Sequence, residues 1–467
     1  MKVDVFEKDP IPKAVSKLAI PTILGMIVTI VYNLADTFFV GQLKDPYQIA
    51  GVTITMPVFI ILLSLGYIFG VGGSSFISRL LGNKDFEMAK RTSSFAFYAC
   101  LALGLVCIGV GVLLINPLLT LCGSSPETHQ YAWDYLIVIL LGSPAIMLSF
   151  SMGQVIRAEG ASKEAMIGMM IGTVVNIGLD PLLIFTCNMG VTGAAIATVF
   201  SNLLSVLYYM WYFIRKSKNL TISPKYLKID KIMLKNVFTI GLPASLNEML
   251  FSASNIILNR FAVGYGDDVI AAIGVVFKVN MFPVLILMGL CQGVQPLIGY
   301  NYASGDQKRL KGIMKFTGIS AVIIGSVFTV LLFFLGHFAV EAFAPGQETV
   351  IRYGTQFLNA VMMSVPVIGL VFLFTSAFQS MGKGIPSMVL SLSRQGFIFI
   401  PTIIIANAVI GLNGIVYAQP IADLVSTILA IVMFTIIWKR DRKKREKQEV
   451  QAAPPMDEDN TLSGIHE

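Results

Sequence analysis

Charged residues make up only 13% of this 467-residue sequence, about half the share of a water-soluble domain. An ordinary soluble fold is thereby excluded. Histidine is nearly absent, with only His129, His337 and His466. The five cysteines, Cys100, Cys107, Cys122, Cys187 and Cys291, show no CxxC or zinc spacing. Metal-centred and histidine-based chemistry has no residues to work with, and no cofactor is expected. The chain also lacks GxSxG, HExxH and DDxxD, since Asp267-Asp268 continues as Val-Ile-Ala, which leaves an intramembrane enzyme a remote alternative. Cys122 and Cys187 fall on the same predicted side of the membrane, but nothing in the sequence brings them together, and free thiols are expected.

What is there is apolar. Hydrophobic residues are 55% of the chain and mean hydropathy is +0.75. Twelve stretches of spanning length run from about 16 to 40, 49 to 80, 92 to 115, 131 to 156, 164 to 186, 192 to 214, 236 to 262, 269 to 299, 312 to 336, 353 to 379, 387 to 408 and 414 to 438. The expected fold is all-α and integral to the membrane, with twelve transmembrane helices. A net charge of +7 does not point to nucleic acid, because the basic residues fall on one side. Arg79, Lys84, Lys90 and Arg91 lie between spans two and three, Lys225, Lys228, Lys231 and Lys235 between six and seven, Lys308, Arg309 and Lys311 after eight, and a run from Lys439 after twelve. The opposite loops contain Lys44 and no other Lys or Arg. The positive-inside bias then puts both termini in the cytoplasm of a multi-pass cell-membrane protein. Trp133, Trp211 and Trp438 fall at predicted span ends, where tryptophan meets the headgroups. The charged first residues lack a secretory signal, so span one is expected to serve as an uncleaved insertion signal.

The chain repeats itself. Pro21, Pro144 and Gly160 answer Pro243, Pro366 and Gly382 at 222 residues, and Gly72, Asp85, Gly193 and Ala197 answer Gly293, Asp306, Gly414 and Ala418 at 221. Six spans per copy insert in the same orientation, which predicts two pseudo-symmetric six-helix lobes around a central cavity. The N-terminal lobe is residues 1–214, a basic cytoplasmic linker 215–235, and the C-terminal lobe 236–440. A tail, 441–467, is first basic, resting on anionic lipid, and then disordered.

Asp36 lies in NLADTFFVG, within an apolar run that starts near Ile20. An Asp at the centre of a membrane helix costs about 2.5–3.5 kcal/mol even on lenient scales, so one kept there faces a cavity and binds something. The alternative is an acid hydrated near a helix end. Asp180 in span five and Thr198 in span six come to the same depth as Asp36 within roughly 3 Å, and Asn176 precedes Asp180 by one turn. Two acids, an amide and a hydroxyl at one level form a proton or cation site, or else a polar network that fixes packing. Glu159, in QVIRAEG, either pairs with Arg157 at the interface or meets a cationic substrate from the cytosol. Asn202 lies one turn inward of Thr198. Lys278 either snorkels to the outer interface or faces the cavity. Met281, Phe282 and Met288 suit a plastic apolar cavity wall. Pro21 shares a helix with Asp36 and is the candidate hinge.

These motifs carry a resemblance. ADTFFVGQL in span one, a Gly-rich second span ending ISRLLGNKD, QVIRAEG in span four and NIGLDP in span five resemble the multidrug and toxic compound extrusion (MATE) transporters over residues 10–440. In DinF-like members the N-terminal lobe holds a cation site whose motif falls on Asp36, Asn176, Asp180 and Thr198. Glu159 and Asn202 also match positions implicated in some drug-exporting members. A second bacterial branch holds acids in spans seven and ten, but here Glu248 has no companion acid between Gly354 and Gln379. The resemblance implies a monomeric multidrug antiporter, driven by inward H+ or Na+, that exports amphipathic organic cations and related drugs. A flippase for lipid-linked oligosaccharide precursors is the alternative within the same superfamily.

Overall fold

The computed structural model describes residues 4–43 and 45–452, with side chains to 443. Lys44 and the acidic end of the tail lie outside the described residues. Twelve helical units follow in order: α1 Ile11–Gly41, α2 Pro46–Gly82, α3 Phe86–Leu113, α4 in two segments Pro126–Leu141 and Ser143–Ala158, α5 Ser162–Pro181, α6 Gly190–Arg215, α7 Lys231–Val263, α8 Asp267–Ala303, α9 Gln307–Phe343, α10 in two segments Glu348–Met362 and Val365–Ser380, α11 Gly384–Leu392 continued by Phe399–Ile410, and α12 Leu412–Ala452. Nine of them are long and apolar enough to cross a membrane, and the bent pairs α4 and α10 bring the number to eleven. The remaining unit, α7, is 33 residues long but carries Asn247, Glu248, Asn255, Asn259 and Arg260.

The repeat read from the sequence has structural causes. Asp85 and Asp306 are equivalent N-caps, accepting from the Met88 N–H at 3.0 Å and the Arg309 N–H at 2.9 Å, which satisfies donors that a helix start leaves open. Pro144 and Pro366 each open the second segment of a bent pair, where a missing N–H costs nothing; the bends are 54° and 51°. Gly72 and Gly293 seat the opposite half of the chain. A Cβ on Gly72 would collide with the Val237 carbonyl of α7, and one on Gly293 would lie 2.7 Å from Ala19 Cα of α1. These approaches, with Ser75 Oγ donating to the Gln379 carbonyl at 2.5 Å, lie toward the ends that carry the basic loops, so the two halves are closed against each other there.

Helix α12 continues past the span through the basic start of the tail, to Ala452, and the rest of the tail expected to be disordered lies outside the described residues. Asp441 accepts from Tyr302 Oη at 2.8 Å and Lys383 Nζ at 3.0 Å, and no proline follows Pro420 before Pro454. The first part of the linker is laid onto the N-terminal half, a tight turn stands at Pro224–Tyr226, and its last residues from Lys231 already belong to α7. Ser93 Oγ donates to Thr221 O at 2.8 Å, Ser94 Oγ to Ser223 O at 2.9 Å and Tyr98 Oη to Ile222 O at 3.0 Å. Leu220 and Ile222 are buried.

Candidate cation site

The structure brings Asn176 and Asp180 into contact and sets Asp36 near enough to act on Asp180, with Thr198 beside Tyr32, which feels both acids. Asn176 and Asp180 are completely buried, Thr198 nearly so, and Asp36 half-buried. Asn176 Nδ2 donates to Asp180 Oδ1 at 3.4 Å, the i,i+4 geometry that one turn provides. Pro181, next in sequence, lacks an N–H, and the helix gives way to a wider π turn at Leu182–Thr186; such turns recur at functional sites. Asn176 Oδ1 and Asp180 Oδ2 are buried with no hydrogen-bond partner. Leaving two such acceptors orphaned is costly, and a cation or a proton would satisfy them. The donor set is all oxygen, which suits a proton or a hard cation and not a soft metal.

Sequence reasoning missed two members. Tyr32 stands beside Thr198 and lies within the field of both Asp36 and Asp180. Tyr135 of α4 lies within the field of the same two acids. The signal for Tyr32 was available, since it precedes Asp36 by one turn and shares its face. The acids also act on each other, as a shared site requires.

The candidate substrate contacts fare differently. Glu159 is buried. It accepts from Tyr212 Oη at 2.6 Å, Ser217 Oγ at 2.9 Å, and the Lys218 and Asn219 N–H groups at 3.2 and 3.0 Å. Its role is to pin the linker, and the expected pairing with Arg157 is not formed: Arg157 is buried and its Nε has no hydrogen-bond partner. Glu159→Ala is therefore expected to cost on the order of 3 kcal/mol by orphaning buried donors. It should raise thiol labelling at an introduced Asn219→Cys and lower export of charged and neutral drugs alike. A loss confined to cationic drugs, with the linker still protected, would return Glu159 to substrate recognition.

Asn202 donates to Thr198 O at 2.8 Å and accepts from Ser149 Oγ at 2.5 Å, which ties it to the backbone beside the cation site. The Lys278 ammonium lies 5.9 Å from the Phe343 ring centre, at the non-basic end of α9. Met281, Phe282 and Met288 are half-buried along α8. Helix α1 runs unbroken through Pro21, with Ala19 and Ile23 on either side of it packed against Gly293 and Gly289. All five cysteines are free.

The C-terminal half holds a charge pair that the sequence reading passed over. Arg394 Nε donates to Asp423 Oδ1 at 2.8 Å, Gln419 Nε2 donates to the same oxygen at 2.9 Å, and Ser364 Oγ donates to Oδ2 at 3.1 Å. Asp423 is buried and Arg394 stands on a second π turn, Ser393–Phe397. Glu248 of α7 lies within the field of Arg394. At the repeat offset of 221, Asp423 answers Asn202 and Gln419 answers Thr198. The signal for Asp423 is its place as an acid inside span twelve.

Comparison with known proteins agrees with this geometry. The MatE family pattern matches twice, over residues 21–182 and 243–405, starting 222 residues apart as the internal repeat does. The chain is 36% identical over 445 residues to the multidrug export protein MepA of Staphylococcus saprophyticus, covering 95% of this chain and 98% of that one. It is 37% identical over 437 residues to MepA of Staphylococcus aureus MRSA252, covering 94% and 96%. A solved structure described as the outward-facing conformation of a multidrug resistance MATE family transporter of the MOP superfamily superposes with a TM-score of 0.89 at 25% identity, over 96% of this chain and 98% of that one.

Proposed function

Because this chain belongs to the MatE family, we propose that it is a multidrug exporter that moves amphipathic, often cationic compounds out across the cytoplasmic membrane in exchange for inward H+ or Na+. It is a transporter and not an enzyme. The observation that carries the coupling step is the pair of orphaned oxygens on Asn176 and Asp180 beside Asp36. An ion or proton bound there favours one arrangement of the halves and cargo the other, so each drives release of its counterpart. Pro21 is the hinge in this reading, because it lies on the same helix as Asp36, in a stretch packed against Gly289 and Gly293 of α8. The position of Lys278 against Phe343 supports drug export over lipid-linked cargo, since it takes a basic group away from where a phosphate would need it. Dye efflux from proteoliposomes under separately imposed pH and sodium gradients tests the reading. Efflux driven by neither gradient would sink it.

The same reading places both termini and the basic loops in the cytoplasm. Single cysteines at Asp267 and Gln347 on a cysteine-free background should label with an impermeant thiol reagent from outside, and those at Lys84 and Lys225 should not. External labelling at Lys225 would invert the topology.

A further inference from the structure

We propose that the second half of the linker, residues 225–235, docks on an anionic phospholipid surface, so that the one covalent connection between the halves is held by protein at one end and by lipid at the other. The first half is engaged, through Ser93, Ser94, Tyr98 and Glu159. The second half is engaged at Tyr226, whose ring centre lies 5.7 Å from Lys90 Nζ, and at Met233, buried in the first turn of α7, but three other large apolar side chains stand out. Leu227, Ile229 and Ile232 are 40%, 66% and 61% exposed, and Lys225, Lys228, Lys231 and Lys235 are exposed among them. Asp230, the acid in this stretch, is engaged as the N-cap of α7, accepting from the Ile232 N–H at 2.6 Å. The stretch is thus a row of large apolar side chains alternating with cations.

Its depth identifies the occupant. Trp211, half-exposed near the basic end of α6 with the Lys216 ammonium 4.9 Å from its ring centre, marks the headgroup level, and the linker leaves α6 about one turn after it, at Arg215, to return as α7 from Lys231. Large aliphatic side chains in water at this level are unfavourable, whereas an acyl boundary buries them and anionic headgroups neutralise the lysines. The excess of one charge sign matches a lipid surface better than a second copy of the chain, whose equivalent patch would repel it.

The test uses the full-length chain, cysteine-free except for Ile229→Cys carrying a polarity-sensitive dye. It is reconstituted into phosphatidylcholine vesicles with or without phosphatidylglycerol as roughly a third of the lipid. Quenching by brominated acyl chains is expected to rise several-fold when the anionic lipid is added, each lysine contributing up to about fivefold in occupancy. Together, K225Q, K228Q, K231Q and K235Q, or high salt, should remove the rise. A dye at Asn219→Cys, on the anchored half, should show none. The proposal is overturned by quenching at Ile229→Cys that is indifferent to phosphatidylglycerol, by a rise that survives all four Lys→Gln changes, or by quenching seen only where copies self-associate. None of these readouts depends on transport, so they stand or fall apart from the export reading.

Discussion

Replacing either acid of the N-terminal site by its amide, Asp36→Asn or Asp180→Asn, is expected to lower gradient-driven export roughly 100-fold, the upper range of coupling free energies between linked sites. An amide carries no charge for a cation to balance and no proton to exchange. The protein should remain folded, because a neutral amide is cheaper to bury than a carboxylate. Asp180 faces the larger effect of the two, since it is fully enclosed with an orphaned oxygen while Asp36 is half-buried. Glu248→Gln should cost much less, because Glu248 lies in the other half beside a resident cation, Arg394. The comparison is dye transport in proteoliposomes of matched protein content. Full activity in both Asp variants, or a total loss in Glu248→Gln alone, would move the coupling site across the molecule.

The second large effect is on stability. Arg394 and Asp423 form an ion pair with side chains only 15% and 2% exposed, and removing one partner of such a pair strands the other charge, which costs about 3–5 kcal/mol. Asp423→Asn and Arg394→Met are each expected to lower the thermal denaturation midpoint in detergent sharply. Arg394→Met combined with Asp423→Leu should recover most of the loss, because no charge is then stranded and apolar replacement of a buried pair is often neutral. A double variant as unstable as the singles would mean that the hydrogen bonds from Ser364 and Gln419, and not charge compensation, hold this region.

This asymmetry between the halves was only partly legible in the sequence. Period and offset were plain, because Asp85 and Asp306 must cap equivalent helices and Gly72 and Gly293 must admit the opposite half. The depth of Asp36, Asp180 and Thr198 followed from the 1.5 Å rise of a helix. Side-chain partners across helices did not follow from any local pattern. Glu159 reads as an interfacial acid until the linker is seen to fold back onto it, and that return rests on Ser93, Ser94 and Tyr98, which are unremarkable on an apolar helix. Asp423 and Arg394 are separated by 29 residues, and only packing reveals that they neutralise each other. Asp180, which keeps one buried oxygen without a hydrogen-bond partner, and Asp423, compensated by Arg394, therefore look alike in sequence and differ in chemistry.

Counter-movement of ion and cargo tests the account most directly. In sealed proteoliposomes holding no imposed ion gradient, an outward flow of a cationic dye should draw H+ or Na+ the opposite way through the wild-type protein, read by an internal pH probe or by radioactive sodium. Asp180→Asn should show dye-evoked ion movement no greater than protein-free vesicles. Ion movement persisting in Asp180→Asn at the wild-type level would contradict the assignment of coupling to the Asp36, Asn176 and Asp180 site.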